Sequence, residues 1–464
     1  MFDRLVDFRR IAIAMLLALS IVLSACGGGG SSESAPPPPT TGTVALLLTD
    51  MPTDDLDEIN LKVVEATLIG GEGQQTLFSN AGEPIEIDLL KLENFSRPIA
   101  FEDVPADVYT KLRLRISDMT LVKYVEGEEN EIYTPPLPAN GKIDLLHRGG
   151  FEVLPGRTLV VELDMPADMA IHVVQTGNSQ SDKDPYRVRP VVFVEFSNTE
   201  APDKLTRFEG VIDEIIDTEA GSFVLCSSDD ADTCIDVSLT TDGCVYDAEG
   251  VPTAPTALAE GQEVVVIGRY SRSGGDIVLD AIVVEQGPAE QVTGTVNSLP
   301  DENGTFLMID RKGDELVVEL QKDLDQQDDC TQVFDSDGAI VGAAGLQIGQ
   351  GIEVEGVRIV PPESSDDPVL LRAALILIDG DDAEEQLSGT ITATIEEPSF
   401  VLATAGGDIT IVLQEGATIM RRSADMVLSD GSFGDVQEGR SADAFGELVN
   451  GNFEATKLVI DVDE

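Results

Sequence analysis

Carboxylates are the one abundant reactive group in this chain. Asp and Glu total 86 against 29 Lys and Arg, a net charge of -57, and the 464 residues include only two His and five Cys. With so many acids, a close pair of carboxylates is expected by chance and does not mark glycoside hydrolysis. Side chains that titrate near neutrality without help are limited to His147 and His172. His147 lies in Leu145-Leu146-His147-Arg148-Gly149, which reads as a surface turn. His172 lies in Ala170-Ile171-His172-Val173-Val174, which reads as a strand face. Nucleophilic catalysis needs an activated Ser, Cys or Thr beside a base. No Gly-x-Ser-x-Gly elbow, His-Glu-x-x-His helix or phosphate-cradling Gly-Lys-Ser/Thr loop occurs in the sequence. The expected function is therefore not enzymatic.

Calcium is the better site hypothesis, because hard divalent cations favour several carboxylate oxygens. Asp50, Asp54, Asp55 and Asp57 cluster where the first strand run enters its loop. Asp323, Asp325, Asp328 and Asp329 form a second cluster, and Asp379, Asp381 and Asp382 a third. None has the Asp-x-Asp-x-Asp-Gly spacing of a dedicated loop. The competing reading is a solvated acidic surface that keeps the protein soluble, and no other cofactor is expected. Nucleic acid is excluded as a partner: residues 206–464 hold 12 Lys and Arg against 54 Asp and Glu, and like charge repels a phosphate backbone. With 16 Phe, 6 Tyr and no Trp, stacking surface for bases or sugars is scarce.

Residues 1–25 read as an export segment. Arg4, Arg9 and Arg10 give a basic start, and Ile11 to Leu23 is an apolar stretch of 13 residues, short of the roughly 20 that span a bilayer. Leu23-Ser24-Ala25-Cys26 matches the bacterial lipobox. The resemblance implies that Cys26 is acylated and becomes the mature N-terminus, anchored because each buried CH₂ contributes about 0.8 kcal/mol. Residues 26–41 then form a tether, with Gly27 to Gly30, Ser31 and Ser32 flexible and Pro36 to Pro39 stiffer. Gly27 rather than Asp after the Cys resembles lipoproteins sorted to the outer membrane, facing periplasm or cell surface. The mature chain carries 26 basic and 84 acidic residues.

Four further cysteines, Cys226, Cys234, Cys244 and Cys330, allow three pairings into two disulfides in an exported chain. Cys226 and Cys234 flank a polar loop that could close between adjacent strands. Cys244 with Cys330 would then staple two domains. Buried free thiols are the alternative.

Strand signals position all of these residues. Thr43 to Thr49, Ile59 to Ile69, Tyr109 to Val122, Leu159 to Asp164 and Tyr186 to Phe196 are rich in Val, Ile, Leu and Thr. Leu112-Arg113-Leu114-Arg115-Ile116 alternates apolar and basic residues, the period of a half-buried strand. Pro190 inside the last run predicts an edge strand or bulge. Turns at Gly70-Gly71-Glu72-Gly73 and Ala139-Asn140-Gly141 separate the runs, as in a sandwich.

Residues 42–200 form the first predicted domain. The stretches Gly42 to Pro52, Asp54 to Leu61, Ile87-Asp88-Leu89-Leu90, Val104 to Tyr109, Leu154-Pro155-Gly156 and Tyr186 to Pro190 resemble a bacterial lipoprotein family, domain of unknown function 4382. The resemblance implies a transthyretin-like β-sandwich and no activity; Asp107 departs from the family by replacing a turn Gly.

From residue 206 the sequence repeats. Phe208-Glu209-Gly210, Val292-Thr293-Gly294 and Leu387-Ser388-Gly389 open the units, and a Gly pair seven apart recurs at 261/268, 349/356 and 439/446. The spacing of 88 and then 90 residues suits small closed barrels at 206–287, 291–381 and 386–464. These units resemble a second uncharacterised bacterial family, domain of unknown function 5666, with an OB-like look. Cys244 and Cys330 occupy equivalent places in the first two units, which favours a structural role. The expectation is thus an all-β, lipid-anchored envelope protein with a binding or structural role, its partner an envelope protein or a glycan. The alternative is a surface protein that binds calcium or polysaccharide.

Overall fold

The computed structural model describes residues 40–464 except 50–55, 72, 81, 126–129, 166–170, 174–185, 189–190, 203, 230–232, 324–328, 337, 362–367, 379–384, 405–406, 424–426, 450–451 and 463–464. Period-two patterning and glycine punctuation dominate locally, and the fold is all-β. Among the described residues the helical pieces are short 3-10 turns, and no helix is long and apolar enough to cross a membrane.

The chain begins with β1 (Thr41–Thr49), β2 (Glu58–Gly70), β3 (Gly73–Ser79), β4 (Ile85–Asp88), β5 (Phe95–Pro105) and β6 (Val108–Lys123). It continues with β7 (Glu131–Tyr133), β8 (Lys142–Glu152), β9 (Thr158–Asp164), β10 (Ile171–Val173), β11 (Tyr186–Val188) and β12 (Phe193–Ser197). Two sheets result. One runs β12-β9-β1-β5; the other runs β8-β6-β2-β3, with β4 on β2 and β7 on β6. In β6 the predicted alternation holds: Leu112, Leu114 and Ile116 are buried. Arg113 and Lys111 instead reach Asp144 on β8, at 2.6 and 3.0 Å. Their hydrogen bonds, Arg113's first, outweigh burial and pull the Asp144 carboxyl down to about 2. Pro190, the expected site of an edge strand or bulge, lies outside the described residues; of the strands on either side of it, β12 is a sheet edge. Asp107 sits between β5 and β6 without left-handed strain; Ala139 and Asn140 are the non-glycine residues with positive φ among those described.

Three barrels follow. The first has β13 (Leu205–Asp217), β14 (Ser222–Ser227), β15 (Cys234–Tyr246), β16 (Pro252–Thr253), β17 (Glu263–Ser273) and β18 (Asp276–Glu285). The second has β19 (Glu290–Val296), β20 (Thr305–Asp310), β21 (Glu315–Leu320), β22 (Gln332–Phe334), β23 (Gly351–Ile359) and β24 (Leu370–Ile378). The third has β25 (Glu385–Glu396), β26 (Ser399–Thr404), β27 (Gly407–Ser423), β28 (Val427–Asp430), β29 (Ser441–Val449) and β30 (Asn452–Val462). In the first, the order β13-β14-β15-β18-β17 closes back on β13, with β15 and β18 parallel. The second closes identically through β19-β20-β21-β24-β23. The third closes through β25-β26-β27-β30-β29. This is the five-stranded Greek-key closure of an OB-type barrel.

The paired glycines explain the repeat. Gly261, Gly349 and Gly439 have φ of 79°, 85° and 88°, a turn that side chains resist. Gly268, Gly356 and Gly446 sit at register shifts in the strands they share with β18, β24 and β30. A Cβ there would fall 2.2, 2.0 and 1.9 Å from the carbonyl oxygens of Asp280, Arg372 and Glu454. Gly356→Ala should therefore lower stability by about 1–3 kcal/mol, read as a reduced urea midpoint at unchanged slope.

The modules share cores and edges. Leu205 and Thr206 of β13 pair in parallel with Phe95 and Ser96 of β5. β28 pairs in parallel with β8, Val427 to Ser429 opposite Asp144 to Leu146. Met420, Phe445 and Val459 of the third barrel are buried within the sandwich core. Phe95, Tyr246, Ile267, Phe334 and Leu375 form a smaller core where the sandwich meets the first two barrels.

Candidate functional site

Asp50, Asp54 and Asp55 lie outside the described residues, as do Asp325, Asp328, Asp379, Asp381, Asp382 and the lipobox Cys26. Asp57 uses one carboxylate oxygen to accept the Tyr124 N–H at 2.6 Å. Among the described residues no group of three or more His, Cys, Asp or Glu is arranged to hold a metal.

The four downstream cysteines form two disulfides. Cys226 and Cys234 are direct cross-strand partners on β14 and β15, with Cα atoms 4.0 Å apart. Cys244, at the end of β15, is bonded to Cys330, with Cα atoms 5.8 Å apart, and so ties the first barrel to the second. The equivalent segment of the third barrel has no Cys and carries β28 onto the sandwich instead.

A cavity of ≈ 570 Å³ lies where the third barrel meets the sandwich. Strands β8, β9 and β12 line one side, and Thr418, Met420, Asp430 and Lys457 line the other. His147 lines it too, which corrects the expectation of a surface turn. Tyr109 pairs with Phe151 and Lys111 with Leu146, so His147 to Gly150 bulge from β8 opposite Thr110. Gly149 and Gly150, with φ of 94° and 78°, allow that bulge. His147 Nδ1 lies 3.1 Å from Asp430 Oδ2, and the same oxygen accepts the Arg148 N–H at 2.9 Å. The pair thus clasps β8 to the third barrel. The imidazole also packs on Phe196, whose ring stacks on Phe151 with centroids 4.3 Å apart. His172 pairs with Arg187 across β10 and β11, the predicted strand position.

Opposite this clasp, Lys457 donates to Asp164 Oδ2 at 3.0 Å and lies over the Phe193 ring at 5.2 Å. Lys204 donates to Thr49 Oγ1 and to the Leu92 carbonyl at 3.0 Å, holding the linker after β12 to β1. The site therefore combines carboxylates, ammonium groups and rings supplied by two modules far apart in sequence. The rows of alternating residues in β9 and β12 carry part of that signal; the contribution of β30 has no local signature.

A second polar cluster lies between the first two barrels. Arg207 donates to both carboxylate oxygens of Glu355, at 3.0 and 2.9 Å. Burial opposes its charge, but the field and hydrogen bonds of Glu355 keep the guanidinium protonated. Glu285 is completely buried nearby, and neither of its oxygens has a hydrogen bond among the described residues. Burial, then the Glu355 charge, raises its carboxyl well above the ordinary range. Removing one partner here leaves a buried charge, which marks the cluster as structural rather than as a binding surface.

Residues 41–187, from β1 into β11, match the family described as Domain of unknown function (DUF4382). No curated protein matches the chain.

Proposed function

We propose that this chain is a lipid-anchored, acidic protein of the bacterial cell envelope that binds rather than transforms. The acyl group is carried on Cys26, and the Gly/Ser/Pro segment sets the β-modules away from the outer membrane. The observation that supports a binding role best is the cavity between the sandwich and the third barrel, whose ≈ 570 Å³ falls within the range of small-ligand sites. Its charged groups and rings come from rigid strands, which suits recognition by fixed geometry. Two disulfides agree with residence in an oxidising compartment. The shared strand order of the barrels supports reading them as modules of the 5666 type.

Cys26→Ser should abolish metabolic labelling with an alkyne fatty acid and move the protein from the membrane fraction to the soluble one. A wild-type chain that carries no label would end the anchoring part of the reading. Cross-linking in intact envelopes tests the binding part, with recovery of a protein or glycan as the expected outcome. A divalent cation bound at the Asp50–Asp57 loop is the competing reading. On the reading preferred here, EDTA at fixed ionic strength leaves the melting temperature unchanged. A fall reversed by Ca²⁺ would favour the cation.

A further inference from the structure

The chain leaves the first barrel at Glu285, the last residue of β18. Side chains alternate along a strand, so Glu285 shares a face with Val283, which packs on the second barrel, while Val284 lies in the first barrel's own core. Glu285 is fully buried, and neither of its oxygens has a hydrogen bond among the described residues. Every element around it offers something else. Tyr246, its register partner on β15, donates its hydroxyl to the Ala374 carbonyl at 3.5 Å, and Val265, its partner on β17, is apolar. Arg269 of β17 donates to the Gly338 carbonyl at 3.1 Å. From the second barrel, β23 brings Glu355, whose two oxygens accept from Arg207 of β13. Glu209 accepts from the same guanidinium. Glu353, also on β23, accepts from Asn94 and Gln291 at 2.9 and 2.6 Å. A buried carboxylate without a partner costs far more than a neutral carboxyl, and the charge of Glu355 adds to that cost.

A jointed connection adjoins this residue. Gln286-Gly287-Pro288-Ala289 links β18 to β19, and Gly287 has φ of 127°. The Gln286 N–H donates to the Tyr246 carbonyl at 3.0 Å, and Arg207 reaches the Ala289 carbonyl at 3.4 Å. The Cys244–Cys330 bond leashes the two barrels within the same core.

We infer that the joint between the first two barrels is a proton-controlled hinge. With a neutral carboxyl, Glu285 lets the second barrel seat on the first. Loss of that proton loosens the seat about Gln286–Ala289, as far as the disulfide allows. In the loosened state Glu285 meets water and titrates near 4.5, whereas the seated state keeps the proton to a higher pH. Between those two values each pH unit multiplies loosening by up to about tenfold, and above them the effect levels off.

The buried disulfide supplies the readout, because a reductant reaches Cys330 only when the joint opens. The full chain is treated with the uncharged reductant tris(hydroxypropyl)phosphine between about pH 5 and pH 9. Initial rates of reduction are compared for Cys244–Cys330 and for Cys226–Cys234, which lies within one hairpin and corrects for the reagent's own pH dependence. The ratio of the first rate to the second should climb with pH, by up to about tenfold per unit over part of the range. Glu285→Gln should hold the ratio flat at its acid value, and so should Glu285→Met, the second uncharged variant. A ratio independent of pH in the wild type would overturn the hinge, since unfolding of the whole chain exposes both bonds alike. A slope retained in either variant would overturn the assignment to Glu285.

Discussion

Replacing Cys244 and Cys330 together by Ser should cost about 4–5 kcal/mol of stability, from the loop-closure entropy of a long cross-link. The bonded residues are 86 positions apart, so the bond removes many open conformations from the unfolded chain. It also joins β15 to the second barrel beside the shared core of Tyr246, Phe334 and Leu375. Loss of the bond should therefore split a single urea transition into two, as the first two barrels begin to unfold separately. The Cys226–Cys234 bond spans only 8 positions within one hairpin, and its removal should cost about 2–3 kcal/mol by the same entropy. Equal losses for the two bonds would show that chain entropy is not what the longer one contributes.

Arg207→Met should cost a further amount of similar size, about 3–5 kcal/mol, because it leaves Glu355 as an unpaired buried charge. Glu355 is 1 % exposed, so water cannot substitute for the guanidinium. Glu285→Met should act in the opposite sense, since it replaces a carboxyl without hydrogen bonds by an apolar side chain. The effect depends on pH. In the unfolded chain Glu285 loses its proton near pH 4.5, while the folded protein retains it to a higher pH. The unfolded state then binds fewer protons, so stability falls as pH rises through that interval and levels off above the folded value. Below pH 4.5 this contribution is absent. Urea midpoints between pH 4 and pH 8 should show a shallower decline in Glu285→Met than in the wild type; parallel curves would contradict the assignment.

What the sequence reveals is what is local. The strand runs at Thr43, Ile59 and Tyr109 carry their own apolar alternation, and each barrel announces itself through glycines that a turn and a backbone approach require. The bulge at His147 misleads for a physical reason: Gly149 and Gly150 read as a chain reversal, yet their positive φ values keep the chain within β8 while displacing His147 toward Asp430. The cavity itself is invisible in the sequence. Lys457 and Asp164 meet only because the third barrel returns to the first module, and nothing near either residue encodes that return. The same holds for Arg207 and Glu355, each an ordinary strand residue until two barrels are packed together.

The return of the last module has a bearing on biosynthesis. A ribosome delivers β1 to β12 first, yet the apolar centre of that module stays incomplete until Met420, Phe445 and Val459 emerge about two hundred residues later. For that interval the nascent sandwich has a greasy mouth open to solvent and a free lateral edge at β8. Such a chain is protected either by a chaperone that covers the gap or by staying unfolded until translation ends. Under the proposed export route, which threads an extended chain through a membrane, the late arrival of the closing residues favours the second course.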